Sequence, residues 1–248
     1  MGTTSRPRHP FLDWPAPLAF AHRGGASEAP ENTLPAFQRA VDLGYRYLET
    51  DVHVTADGVV VAFHDDDLSR TCGRPGKIHE LTWQEVATAR VAGREPIPRL
   101  AELLASFPDA RLNIDCKTDQ VVAPLGDELV RAGALPRVCV GSFRDARIRQ
   151  LRRRFGDAIC TSAGQVEIGV LRALRIAGPS VLAAQVPTRT RGFPLLTSGF
   201  VRTCHRRGIE VHVWTIDDPG EMDRLLDMGV DGIMTDVPAV LKDVLIRR

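Results

Sequence analysis

The chain predicts a TIM-type (β/α)8 barrel, eight parallel strands ringed by helices, on three observations. Strand-like apolar runs alternate with helix-period segments along nearly all of its 248 residues, and such alternation implies a parallel sheet. Leaving one hairpin arm aside, eight strand-then-helix units can be counted, the number that closes a barrel. The strands end repeatedly in polar groups, as barrel strands do on the face that carries chemistry. A doubly wound open sheet is the alternative, weakened because no Gly-x-Gly-x-x-Gly follows any strand.

Composition narrows the class. A 44% hydrophobic and 25% charged chain with formal net charge +1 describes a globular protein with no electrostatic footprint for nucleic acid. Arg152-Arg153-Arg154 beside Leu151 and Phe155 reads as a solvated helix face. The five cysteines, at 72, 116, 139, 160 and 204, lack paired spacing, so free thiols in a reducing compartment are expected. Met1 to Pro17 lacks the apolar core of a secretory signal, and no run approaches the roughly 20 apolar residues of a membrane span. A cytoplasmic protein is expected; the oligomeric state is not legible.

Residues 1–17 read as an N-terminal extension and 18–248 as a single catalytic barrel domain. Leu18 to Ala21 is the first strand. Thr33 is placed to cap a helix with Pro35 in its first turn; Leu34, Phe37, Ala40, Val41 and Leu43 follow at helical spacing and Gly44 closes it. Tyr47 to Val54 is the second strand, and the Asp57-Gly58 turn returns Val59 to Phe63 as a hairpin arm. From 65 to 98 the alternation lapses into a small insertion after the second barrel strand and its hairpin, with too little apolar content for its own core. Thr82 and Glu85 open a short helix there as a capping box. Strands at Leu112–Asp115, Val138–Val140, Ala158–Cys160, Val181–Ala184, Val211–Trp214 and Gly232–Met234 then alternate with helices to the C-terminus.

The strand ends carry the candidate chemistry: His22 and Arg23; Glu49 and Asp51; Asp115 and Lys117; then Ser142, Thr161, Ser162, Gln185, Trp214 and Thr235. Two residues apart on a strand, Glu49 and Asp51 share a face. With Asp115 on the next barrel strand they suit a hard divalent cation, Mg2+ or Ca2+, which takes oxygen ligands. Pairing with Arg23 and Lys117 is the plainer reading, and those two cations also suit phosphate oxygens. The hairpin brings His64 roughly opposite Glu49, giving His22 a partner; two histidines can act as general acid and base near neutral pH. Trp214 walls the pocket or packs the core. His53 reads as a surface or packing histidine, and His9, His79, His205 and His212 have no converging partners. Asp65 orients a neighbour, while Asp66 and Asp67 are solvated loop charges.

His22-Arg23-Gly24, Glu31-Asn32-Thr33 with Ala36-Phe37, Glu49-x-Asp51-Val52, Thr55-x-Asp57-Gly58, His64-Asp65 and Arg70-Thr71 resemble the glycerophosphodiester phosphodiesterase family. Val213-Trp214-Thr215, Gly229-Val230-Asp231-Gly232-Ile233 and Thr235-Asp236-x-Pro238 are similar to its closing motifs. The resemblance implies a TIM-type barrel and a divalent metal at Glu49, Asp51 and Asp115. It also implies catalysis by His22 and His64, and cleavage of glycerophosphodiesters to an alcohol and glycerol 3-phosphate. The third acidic ligand is usually Glu in an Asn-x-Glu-x-Lys pattern; Asp115 in Asn113-Ile114-Asp115-Cys116-Lys117 retracts it by one methylene, roughly 1.5 Å. Two alternatives remain: a phospholipase-like enzyme on intact lipids, for which Gly192 to Leu196 is the one apolar candidate, and a non-catalytic barrel binding a phosphorylated headgroup.

Overall fold

The computed structural model describes residues 9–190 and 192–248; the start of the N-terminal extension lies outside them. Eight parallel strands follow one another round the barrel: Leu18–Ala21, Tyr47–Val54, Arg111–Cys116, Val138–Gly141, Cys160–Thr161, Ala183–Val186, Glu210–Val213 and Gly232–Thr235. They are called strands one to eight. Strand eight pairs back onto strand one, with Leu18 opposite Gly232 and Ala21 opposite Thr235. Between strands five and six the ladder thins to a single bridge, Ser162 to Ala183, so the barrel is nearly closed.

Local sequence explains the helices between these strands. Thr33 Oγ1 accepts from Ala36 N at 3.4 Å to open Leu34–Asp42, with Pro35 where a missing N–H costs little. Thr197 and Asp218 cap Ser198–His205 and Pro219–Met228 in the same way.

Strand alternation then sorts the side chains into two cores. Leu48, Val52, Leu112, Ile114, Val138 and Val140 face outward into the large cluster beneath the helices. Leu18, Phe20, Tyr47, Cys139, Cys160 and Met234 fill the barrel interior. The extension completes that interior: Phe11, wholly buried, meets Tyr47 edge-on at 5.2 Å, and Tyr47 Oη donates to Phe11 O at 2.6 Å. An interior packed this way is a floor, and the chemistry is left to the strands' C-terminal ends.

Two expectations need correction. The 65–98 stretch does help build a core of its own, because it borrows Val61 and Phe63 from the return arm Val60–Ala62 and its flank. These join Leu68, Ile78, Val86, Ala89, Val91 and Ile97. Arg152 is not a solvated charge: its guanidinium donates to Thr161 Oγ1, Glu167 Oε1 and Ser162 O, tying the helix to the end of strand five. All five cysteines are free, and no helix among the described residues is long and apolar enough to cross a membrane.

Candidate active site

Strand one stops at Ala21 and the chain turns sharply. Arg23 adopts φ 51°, ψ 30°, a left-handed conformation that costs a residue with a side chain about 1–2 kcal/mol. Two bonds hold it there: Arg23 N donates to Glu49 Oε2 at 3.1 Å, and Arg23 O accepts from Asn32 N at 2.9 Å. Gly24, at φ +81°, lies so close to the next helix that an added Cβ would sit 2.8 Å from the Ala36 Cβ. The turn therefore aims His22 and Arg23 into the mouth.

His22 Nδ1 lies 2.7 Å from Asp236 Oδ1, and its Nε2 lies 3.7 Å from Glu49 Oε2. Burial works to lower its pKa, but the charge of Glu49 and the bond to Asp236 prevail and raise it. Because a carboxylate only accepts, Nδ1 carries the proton and Nε2 is left to face the site.

Glu49, Asp51 and Asp115 point into the same mouth. Strands two and three register Asp51 against Asp115. Lys117 Nζ stands between these two, 2.7 Å from Asp51 Oδ1 and 2.7 Å from Asp115 Oδ2. Asp51 Oδ2 also receives Asn32 Nδ2 at 3.1 Å and faces Arg23 Nε at 3.2 Å. Burial acts to raise the Asp51 pKa, yet Lys117 and Arg23 hold it below the usual carboxylate range. Glu49 is pushed up to about 7 by burial and by the Asp51 charge. Asp115 is also raised, first by burial.

Arg23 and Lys117 are the two fixed cations set against these three carboxylates. Asp115 Oδ1 is buried with no hydrogen-bond partner, an arrangement that is costly unless a further positive group reaches it. An all-oxygen, acidic set with an orphaned oxygen fits a hard divalent cation. With Lys117 inserted, however, no three His, Cys, Asp or Glu side chains among the described residues stand close enough to cage an ion.

His64 follows the return arm. The ladder ends where Phe63 N donates to Asp51 O, so His64 lies beyond it and not across from Glu49 as the hairpin count suggested. His64 Nδ1 is 2.6 Å from Asp65 Oδ1, the orienting contact expected of Asp65. His53 is buried, not at the surface, and its Nε2 meets His64 O at 3.0 Å, bracing that backbone.

Several contributing residues were given no role from sequence. Asp236 and Asn32 support His22 and Asp51. Arg70, in the insertion, pairs bidentately with Glu31 at 2.7 Å for each bond and with Asp65 at 2.5 Å. Glu31 in turn receives Arg23 Nη1 at 3.1 Å. All four lie inside the motifs quoted above, the one signal that could have singled them out. Asp67, a loop charge as expected, also caps Ser69 N and Gly76 N.

The remaining strand-end groups mostly tie loops. Ser142 Oγ donates to Cys116 O, Thr235 Oγ1 to Asp217 Oδ1, and Gln185 Nε2 to Asn113 Oδ1. The four other histidines do have partners: His9 accepts from Phe11 N, His79 lies 3.7 Å from Glu80, His205 meets Asp231, and the fully buried His212 meets Glu210 at 3.1 Å. None of these joins the site. Trp214, partly buried, packs on the barrel interior and meets Phe143 edge-on at 5.8 Å.

Comparison with known proteins identifies the family. The sequence profile of the glycerophosphoryl diester phosphodiesterase family matches residues 22–240. The chain belongs to that family. It is 39% identical, across 100% of its own length and 98% of the other's, to a Mycobacterium tuberculosis protein assigned as glycerophosphodiester phosphodiesterase 2. It is 29% identical to a lysophospholipase D from Mus musculus, covering 91% of this chain and 85% of that one. Its fold superposes with a TM-score of 0.81 on a Silicibacter pomeroyi structure assigned to the same family, at 25% identity and 96% coverage of both chains. A 23% identical Oleispira antarctica phosphodiesterase, solved with the product sn-glycerol-3-phosphate, superposes at 0.77 over 93% of this chain and 97% of that one. The chain is therefore a phosphodiesterase-family enzyme, and the non-catalytic reading falls away.

Proposed function

We propose that residues 18–248 form one catalytic domain, 65–98 being an insertion, that hydrolyses glycerophosphodiesters to an alcohol and sn-glycerol 3-phosphate. The observation that carries this reading is the pair of histidines, each held at Nδ1 by a carboxylate, on the two segments that flank the buried acids of strand two. His22 Nε2 lies 3.7 Å from Glu49 Oε2, and His64 follows the return arm that pairs with the Asp51 strand. The product bound to the Oleispira relative supports the identity of the phosphate-bearing fragment.

Glu49, Asp51 and Asp115 would hold the divalent cation, Mg2+ or Ca2+. Bound there, it would polarise a phosphoryl oxygen and neutralise developing charge. Arg23 and Lys117 supply fixed positive charge for the phosphate, and Trp214 lines the substrate's side of the mouth. One histidine takes a proton at Nε2 from the nucleophile, either water or the substrate's own glycerol hydroxyl. The other gives a proton to the departing alkoxide. Five unpaired cysteines favour a reducing, cytoplasmic setting.

Incubation with glycerophosphocholine and either metal is expected to release sn-glycerol 3-phosphate, read by a coupled dehydrogenase assay. Release of phosphocholine in its place would reject the reading. A second reading, hydrolysis of a lipid with a retained acyl chain, is favoured by Phe193, which is 75% exposed after strand six on the mouth side. Lysophosphatidylcholine, with choline release as the readout because its phosphate product keeps the acyl chain, separates the two.

Arg70 bridges the Glu31 and Asp65 carboxylates, and so couples the Arg23 turn to the His64 segment. Arg70→Ala is expected to lower kcat by about tenfold to a hundredfold through misplacement of His64. The urea midpoint should barely move, because half-exposed ion pairs contribute only about 0–1 kcal/mol. Arg70→Lys should rescue in part, since a point charge cannot replace the bidentate fork. Equal loss of kcat and of folding stability would refute the positioning role.

A further inference from the structure

We infer that Phe143 and Trp214 form an aromatic subsite for the alcohol arm of the substrate, and that the group it takes is a quaternary ammonium such as choline. This rests on the hydrolase reading above. Phe143 follows strand four and Trp214 follows strand seven. Those strands are not neighbours, so the two rings can meet only across the mouth, above strands five and six. They do so with centroids 5.8 Å apart and planes at 72°, which makes a two-walled corner.

Trp214 is rooted on the barrel-interior cluster, whereas Phe143 is 51% exposed. An aromatic ring left half in water at a site entrance is an unspent contact surface. Every charged residue assigned to the phosphate stands on the opposite side of the mouth: His22 and Arg23 after strand one, Glu49 and Asp51 on strand two, His64 beyond its hairpin, and Asp115 and Lys117 at strand three. The strands beneath the corner end in uncharged groups, Thr161 and Ser162 on one and Gln185 on the other. Arg144, next to Phe143, turns its guanidinium onto Asp119, so its charge is matched.

A phosphodiester seated on the charged side has two ester arms. The glycerol arm carries hydroxyls that need hydrogen-bond partners, which ring faces supply poorly. A trimethylammonium group needs none, and it is attracted to the negative faces of aromatic rings. The corner therefore matches the choline arm and discriminates against a primary ammonium, which gives up more hydration on leaving water.

The test compares three glycerophosphate esters, of choline, of ethanolamine and of 3,3-dimethylbutanol, the last being the uncharged shape-mimic of choline. The wild type is expected to prefer the choline ester in kcat/KM over both others by about 5- to 30-fold, equivalent to about 1–2 kcal/mol. Phe143→Leu, which keeps apolar bulk and removes the ring, should collapse both ratios toward unity. Calorimetric binding of phosphocholine, phosphoethanolamine and 3,3-dimethylbutyl phosphate reads the same preference without turnover.

A wild type that treats choline and dimethylbutyl forms alike overturns the cation assignment. Ratios unmoved by Phe143→Leu overturn the subsite. No turnover of any ester, with the binding preference intact and lost in Phe143→Leu, would sink the hydrolase reading while upholding the subsite.

Discussion

His22→Ala and His64→Ala enzymes are each expected to turn over glycerophosphodiesters about 10²–10⁴-fold more slowly, measured as sn-glycerol 3-phosphate release at saturating substrate. The loss should fall on kcat, because both imidazoles act through proton transfer and neither supplies the phosphate's positive partners. Their supports predict a graded series. Asp236→Asn and Asp65→Asn keep the shape of the groups that hold each Nδ1 but remove the charge. Each should therefore cost less than removal of its histidine. The double variant His22→Ala/His64→Ala should lose little beyond the worse single, since paired acid and base work as one unit. Near-full activity in both single variants would end the assignment.

Removing divalent ions with a chelator is expected to lower the rate by about 10²–10³-fold, and adding Mg2+ or Ca2+ back should restore it. That range corresponds to the several kcal/mol a Lewis acid contributes to a phosphoryl transition state. The carboxylates predict how the dependence shifts. Asp51→Asn removes the best-ionised acid of the three and should raise the metal concentration needed for half-maximal rate. Asp115→Glu restores the methylene that the family pattern usually has and should lower it. Direct titration of metal binding by calorimetry reads the same shifts in the absence of turnover. A fully active, metal-free enzyme would refute the cation and leave Lys117 as the acids' partner.

Much of this was legible in the residues. Strand and helix periods are local, so eight alternating units implied the barrel before any contact was known. Period-two alternation put Glu49 and Asp51 on one face, and barrel architecture put every strand end on one side. The insertion's core was misjudged because Val61 and Phe63, which complete it, belong to the hairpin, outside its own sequence. His53 proved to be the packing histidine of its two readings, because the return arm lays the His64 carbonyl on it. The alignment of His64 with Glu49 failed because a turn fixes register only as far as the ladder continues, and this one ends at Phe63.

The contacts that set the chemistry lie beyond local pattern. Asp236 reaches His22 across 214 positions because strand eight closes onto strand one. Arg70 reaches Glu31 across 39, and Phe143 meets Trp214 over two intervening strands. By itself the amino-acid sequence determined the barrel, the family and which residue types crowd its mouth, because those follow from periodicity and motif order. Only the tertiary structure decided that Lys117 stands between Asp51 and Asp115, that each histidine leans on a carboxylate, and that an aromatic corner faces the charges. Such pairings depend on closure, register and side-chain rotamers, which residues far apart in the chain fix jointly.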